Sequence, residues 1–448
     1  MLDFILDVWR SNQSSDAVIW HDRAYDYSTL LNLFNDWKER LPELGATPGS
    51  VVVLDAEFSP QAIALFFALV DQQCIIVPLA QASRKNRNDF VRITSAQIAI
   101  SVGANDDVTT EQLNPVSAQS LYTLLRELRH PGLVLFSSGS TGESKAALHD
   151  VVALLEKFIV RRQRLRAISF LLYDHIGGVN TMLYTLSNGG CIITVEQRDP
   201  DSILQAVEKH EAELLPTSPT FLNLMLLSEA HKRYDLSSLR IISYGTEPMP
   251  EHTLRRLHQL FPHITMQQTY GLSELGILQS KSKEPDSLWV KIGGEGFETR
   301  IVEGVLQIKA RSSMLGYLNA PSPFTEDGWF DTNDMVEVDG EYVRFLGRKS
   351  DLINVGGEKV YPAEVENVIQ ELEDVSEVTV YGEQNAITGN IVCADITPVS
   401  PLGSSQQQEF VALVKRHCRE RLQRFKVPLR VNLVSENQHT ERFKKIRR

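Results

Sequence analysis

For about the first 300 residues, short unbroken apolar runs alternate with stretches of helical spacing. Cys74-Ile75-Ile76-Val77-Pro78 and Leu133-Val134-Leu135-Phe136 have the length and β-branched content of strands buried on both faces. Asn180 to Ser187 keeps a helical pattern until Gly189-Gly190 breaks it, and Cys191-Ile192-Ile193-Thr194-Val195 follows as a strand. Leu239-Arg240-Ile241-Ile242-Ser243 and Ile264-Thr265-Met266 continue the series. This alternation predicts an α/β fold of layered helices on mostly parallel sheets.

The pattern changes after about residue 295. Arg300-Ile301-Val302 and Val305-Leu306-Gln307-Ile308 flank a Glu-Gly turn, and Met335 to Val338 and Glu341 to Phe345 flank Asp339-Gly340, a hairpin signal. We expect a small β-barrel-like region here. The chain then restarts as an α+β unit. Pro362 opens a helix that Ala363 to Leu372 continues, since proline suits a first turn. Val378-Thr379-Val380 and Ile391-Val392-Cys393 read as strands, and Gln406 to Leu422 as a long helix. Pro398 to Gln408, rich in Pro, Ser and Gln, reads as a loop. The domain boundary falls near Ser350, giving a large domain over 1–349 and a small mobile domain over 350–448.

Composition narrows the class. The chain has 448 residues, 42% hydrophobic and 23% charged, as ordinary globular proteins do. Its net charge of -12 argues against a general nucleic-acid binder, which needs a basic face. Cys74, Cys191, Cys393 and Cys418 lie far apart with no C-x-x-C pair, so zinc and dithiol readings have no support. The N-terminus carries Asp3 and Asp7 where a signal peptide needs bases. The longest apolar stretch, Gln61 to Val70, is too short to span a bilayer. The expectation is a cytoplasmic protein without a membrane span.

The candidate chemistry starts where the strand at Leu133–Phe136 runs into Ser137-Ser138-Gly139-Ser140-Thr141-Gly142-Glu143-Ser144-Lys145. Glycines let a backbone approach a phosphate closely, successive N–H groups can point inward, hydroxyls donate and a lysine adds charge. It is no Walker A loop, because G-x-x-x-x-G-K-S/T is absent. The loop resembles the signature of the adenylate-forming superfamily: acyl-CoA synthetases, adenylation domains of peptide synthetases, and luciferases. The usual pattern is Ser/Thr-Ser-Gly-Ser/Thr-Thr-Gly-x-Pro-Lys, and Ser144 stands where proline is usual.

The resemblance continues in the family's order along nearly the whole chain. Tyr270-Gly271-Leu272-Ser273-Glu274 resembles Y-G-x-S/T-E. It implies Tyr270 on adenine, Ser273 at the α-phosphate, and Glu274 as a catalytic carboxylate holding Mg²⁺. Ser243-Tyr244-Gly245-Thr246-Glu247-Pro248 is similar to the loop beside the adenine and the acid. Gly328 to Asp334 resembles G-W-x-x-T-G-D, with Asn333 for glycine; Asp334 then accepts the ribose hydroxyls, and Arg348 binds ribose and phosphate. Tyr173-Asp174-His175-Ile176-Gly177-Gly178 resembles H-x-x-G, which implies that His175, Gly178 and Tyr244 line the acid site. Peptide-synthetase domains hold a substrate amine with a nearby aspartate, and the spacing from Asp174 to Gly189 is too long for that. The acid is therefore expected to lack an α-amine.

In the small domain, Ser350-Asp351 stands at the family's hinge, where Asp or Lys is usual for Ser350. Asn354 to Val360, with Gly356 and Gly357, resembles the segment that swings in for the second half-reaction. From Lys426-Val427-Pro428 the chain aligns without a gap onto K-V-P…T-x-x-G-K, placing Thr440 on the threonine and Lys444 on the catalytic lysine. Phe443 replaces the usual glycine, and Lys445 is an adjacent candidate. The resemblance implies an AMP-forming acid–thiol ligase using ATP and Mg²⁺, with coenzyme A or a carrier protein's phosphopantetheine as acceptor. A stand-alone enzyme loading an acyl carrier protein is the alternative. A non-catalytic adenylate-binding relative is the third reading, resting on Phe443, Ser144 and Asn333.

Overall fold

A computed structural model describes residues 1–115, 119–138, 144–435, 438–440 and 445. Two sheets carry the parallel pattern. In the first, Thr265–Gln268, Ile241–Tyr244, Leu214–Thr217, Arg166–Ile168, Cys191–Ile193 and Asp16–Trp20 lie parallel in that order, and Arg23–Asp26 ends the sheet antiparallel. The second runs Gly316–Tyr317, Ser144–Asp150, Gly132–Ser138, Ile75–Leu79, Val51–Asp55, Ile98–Val102, Val108–Gln112. Its inner strands Val51–Asp55 and Ile75–Leu79 are buried at every position, which is why they read as continuous apolar runs.

The apolar stretch from Gln61 is a core helix, Pro60–Asp71, with every residue from Ala62 to Val70 buried. Ser59 caps it by accepting from the Ala62 N–H, and Pro60 sits in its first turn. Its side chains join Trp9, Tyr27, Phe34 and Trp37 in the largest core of the molecule. A helix apolar on all sides belongs inside a protein, and its short length rules out a span. Among the described residues no helix is long and apolar enough to cross a membrane.

The region after residue 295 belongs to a seven-stranded antiparallel sheet, ordered Tyr270–Leu272, Gly276–Ser282, Val290–Gly293, Tyr342–Arg348, Phe330–Asp339, Val305–Ala310, Phe297–Val302. The expected small β region is this sheet, and its end strands do not pair with each other among the described residues. The Asp339-Gly340 hairpin forms, with Gly340 at φ +61°. A fourth sheet, Glu358–Val360, Ile353–Val355, Gly389–Pro398 and Val375–Asn385, with Arg430–Leu433 pairing beside Gly389–Pro398, carries the helices Pro362–Ile369 and Ser404–Arg421 on a core of its own. Only 399–403 of the expected 398–408 loop lies outside regular structure. The Gln406 side chain accepts the Gly403 N–H at 2.9 Å, so this polar run starts the helix.

Candidate functional site

Two antiparallel strands flank the phosphate-loop segment. Gly132–Ser138 leads into it and Ser144–Asp150 returns, with Ser137 opposite Lys145 and Ser138 opposite Ser144. Gly139, Ser140, Thr141 and Gly142 lie outside the described residues. The return strand is pinned from far away in sequence: the Asn319 side chain accepts from the Ala146 N–H and donates to the Ser144 carbonyl, both at 2.9 Å. The Lys145 ammonium lies 5.4 Å from the centre of the Tyr317 ring.

Tyr317 also reaches the Y-G-L-S-E segment, donating its hydroxyl to Glu274 Oε1 at 2.6 Å. Burial, and then the Glu274 carboxylate, push the Tyr317 pKa well up, so this hydroxyl stays a donor. Glu274 is half-buried, and its own carbonyl accepts from the Met314 N–H at 2.7 Å. His149 Nε2 donates to the Ser273 carbonyl at 2.6 Å. Complete burial lowers the His149 pKa to about 4, which keeps this imidazole neutral. Gly271 is needed for closeness: an added Cβ would sit 2.7 Å from the Gly276 carbonyl oxygen.

Tyr270 is held at its ring and at its hydroxyl. Its ring stacks on Phe345 at 4.6 Å, and its hydroxyl donates to Asp334 Oδ2 at 2.7 Å. Asp334 is opposite Arg348 on the neighbouring strand, whose Nε is 3.6 Å from Oδ1. Burial raises the Asp334 pKa, and the Tyr270 and Arg348 contacts act against that rise. A surface ion pair would leave both partners in water, whereas the Asp334 side chain is 14% exposed. Asn333 occupies the left-handed region at φ +61°, as an asparagine in place of glycine can. Its side chain donates to Ser350 Oγ at 3.1 Å, so the expected hinge residue is tied to the strand that carries Asp334.

Gly245 packs against the backbone at Thr269, where an added Cβ would meet the carbonyl oxygen at 2.7 Å. Thr246 takes φ +74°, an uncommon backbone state for a β-branched residue. Glu247 Oε1 accepts the Thr220 N–H at 2.7 Å, and Pro248 lines the crevice between the large domain and the fourth sheet. Tyr244 belongs to the core cluster that includes Phe221, Met249 and Leu254, is 1% exposed, and among the described residues its hydroxyl has no hydrogen-bond partner. That places it in the core. His175 caps the helix Ile176–Ser187, with Nδ1 accepting from the Gly177 N–H at 3.0 Å. This acceptor role assigns the ring proton to Nε2. At Gly178 a Cβ would overlap the Leu172 carbonyl oxygen at 2.0 Å, so this glycine serves close backbone packing.

In the small domain, Gly356 and Gly357 have φ +62° and +92°, with open space where side chains would be. The Gly356 N–H donates to the Thr388 carbonyl and the Gly357 N–H to Asn354 Oδ1. Lys444 lies outside the described residues. Lys445 is described, and its ammonium pairs with the buried Glu366 at 2.9 Å. The four cysteines are free and buried, and burial pushes their thiols up to about 11 or 12. Sequence patterns alone do not point to Tyr317, Asn319 or His149. Gly316-Tyr317-Leu318-Asn319 offers only a short turn-like signal, and His149 is one polar residue in the strand after the loop.

No group of three or more His, Cys, Asp or Glu side chains among the described residues could cage a metal ion. A lone half-buried carboxylate such as Glu274 fits Mg²⁺, which commonly binds through one or two carboxylates plus substrate phosphates.

Comparison with known proteins gives this arrangement a family. The profile described as AMP-binding enzyme matches residues 7–303, and that of the AMP-binding enzyme C-terminal domain matches residues 364–444. The chain belongs to the AMP-binding enzyme family. It is 29% identical to the indoleacetate–CoA ligase of Aromatoleum aromaticum over 68% of this chain and 64% of that one, so the match spans less than two thirds of that relative. It is 27% identical to acyl-CoA synthetase 7 of Caenorhabditis elegans, covering 94% of this chain and 84% of that one. Among solved structures, an anthranilate CoA ligase in complex with anthranoyl-AMP shares the fold with a TM-score of 0.83, at 19% identity, over 99% of this chain and 95% of that one.

Proposed function

We propose that this protein is an AMP-forming acid–thiol ligase. It joins a carboxylic acid without an α-amine to AMP, releases pyrophosphate, and passes the acyl group to a thiol. The observation that carries the reading is the convergence of Lys145, Tyr317 and Glu274 beside the phosphate hairpin, with Tyr270, Asp334 and Arg348 on the same sheet as the Y-G-L-S-E strand. Membership of the AMP-binding enzyme family supports it.

In the first half-reaction a carboxylate oxygen attacks the α-phosphorus and the bond to pyrophosphate breaks. Charge grows on non-bridging oxygens, so the protein's task is to position and to supply positive charge. Lys145 and the loop from Ser137 hold the departing phosphates. Ser273 meets the α-phosphate, and Lys444 reaches between it and the acid. Glu274 would hold Mg²⁺, which supplies charge neutralisation at the phosphates. Asp334 accepts from the ribose and Arg348 backs it. Tyr270, with one ring face on Phe345, offers the other to adenine. His175, its Nε2 protonated, donates to the acid's carboxylate. Tyr244 acts beneath the site through packing.

The domains 1–349 and 350–448 then turn about Ser350, and the Gly356-Gly357 segment replaces Lys444 beside the adenylate. Coenzyme A is the acceptor we favour, because the Aromatoleum and Caenorhabditis relatives are named as a CoA ligase and an acyl-CoA synthetase. A carrier-protein pantetheine arm is the outcome that would redirect the assignment. The test is ATP–pyrophosphate exchange against fatty, aryl and amino acids, followed by product capture with coenzyme A or with carrier proteins. Exchange with at least one acid lacking an amine is expected. No exchange across a broad panel would sink the enzyme reading.

A further inference from the structure

Among the described residues, the main chain of the tail is bonded to the large domain at the carboxylate of Glu247. Glu247 Oε2 accepts the main-chain N–H of Lys445 at 3.2 Å, across 198 positions of sequence. The other oxygen of the same carboxylate accepts the Thr220 N–H, in the first turn of the helix Pro219–Leu227. A carboxylate at a helix N-terminus is held by oriented amides and the helix dipole, so Glu247 is itself immobilised. Lys445 is fixed from the opposite side. Its ammonium meets Glu366 Oε2 at 2.9 Å, while Glu366 Oε1 accepts the Val380 N–H at 3.0 Å. Glu366 is 2% exposed, so this pair is interior to the small domain and travels with it. Asn223, on the same large-domain helix, adds a bond to the Ser376 carbonyl at 2.9 Å.

We propose that Glu247 is a positioning residue for the small domain, clamping the tail at Lys445 so that the two domains keep their present arrangement. Lys445 is then the anchor of the tail rather than its chemical group. The two ends of the clamp differ in kind. The Lys445–Glu366 pair is buried and charged, and removing one partner would strand the other. The Glu247–Lys445 bond is one amide on one carboxylate at the crevice, and together with the Asn223–Ser376 bond it must break when the domains turn. The inference rests on the ligase reading for the turn of the domains and for naming which half-reaction the clamp favours, the adenylation.

The test has an arm that needs no activity. The native cysteines are all buried, so spin labels can be placed at Ile387→Cys, on a small-domain position 91% exposed, and at Leu128→Cys, 50% exposed on the large domain. The parent should give one dominant distance. Glu247→Ala should add a second population, and Glu247→Gln, isosteric and able to accept at only one oxygen, should fall between. An unchanged distribution in both variants overturns the clamp. In the kinetic arm, Glu247→Ala should slow pyrophosphate exchange by about tenfold, the usual scale for losing a hydrogen bond to a charged group. The KM for ATP and thioester formation from supplied acyl-adenylate should hold. A raised KM for ATP with unchanged exchange at saturation would make Glu247 a nucleotide contact and overturn the proposal. If the parent exchanges with no acid, the ligase reading fails, and the distances still decide the clamp.

Discussion

The nucleotide side of the large domain and the Gly356-Gly357 segment of the small domain are built in opposite ways. Tyr270, Asp334 and Glu274 each already hold a protein partner within the large domain. The Gly356 N–H bonds to the Thr388 carbonyl and the Gly357 N–H to Asn354, both within the small domain, and their missing side chains would face open space. A site whose donors and acceptors are fixed in advance loses little to reorganisation when charge develops. A segment needed at a different place in each half-reaction has to be shaped by its own backbone and carried as a unit. The contrast separates a pre-built set of side-chain partners from a loop that, under the proposed function, would be carried into the second half-reaction.

The largest expected effect would break this contrast if it failed. Lys444→Ala should lower pyrophosphate exchange by roughly 10²- to 10³-fold, the scale for removing a group that stabilises developing charge. Thioester formation from a supplied acyl-adenylate should survive, because that step uses the turned domain. If Lys445→Ala gave this split and Lys444→Ala did not, the tail register would be shifted by one. The Lys445–Glu366 pair argues for Lys444 as the chemical group, since an ammonium bound to a buried carboxylate is poorly available for chemistry.

Tyr317→Phe probes the pre-built half. It removes one hydrogen bond to Glu274 and keeps the ring beside Lys145. The turnover of exchange should fall by about tenfold, and more Mg²⁺ should be needed for half-maximal rate. An unchanged Mg²⁺ requirement would detach Tyr317 from the metal side of the site.

These residues also show what a sequence can and cannot display. Val51–Asp55 and the core helix Pro60–Asp71 are legible in kind because complete burial demands unbroken apolar runs. The Asp339-Gly340 turn is legible because its geometry is local. The β region after residue 295 is legible as strands, while its strand order depends on pairing between distant segments. Tyr317 and Asn319 are illegible for a related reason. Asn319 acts on Ser144 and Ala146, more than 170 positions away, and no local spacing announces such a partner. Tyr244 looks like a site residue from its neighbours, but strand alternation turns it into the core. The Glu247–Lys445 contact joins residues that only the folded chain brings together.

The smallest effect sharpens the contrast by testing how firmly the pre-built set is tied. His149 links the strand after the phosphate loop to Ser273, fully buried, with its pKa lowered to about 4. An unfolded chain would protonate this histidine near pH ~6.5. Between those values the unfolded state binds a proton that the folded state refuses, so stability falls as pH falls. The contribution is about 1.4 kcal/mol per pH unit, is absent above the unfolded pKa, and levels off below the folded one. His149→Gln keeps a donor to the Ser273 carbonyl and removes the titration. Urea unfolding across this pH range should therefore give a shallower loss of stability in the variant than in the parent. Equal slopes would mean that His149 protonates without breaking the folded state, and the tie between the phosphate hairpin and the Y-G-L-S-E segment would be looser than the nucleotide side requires.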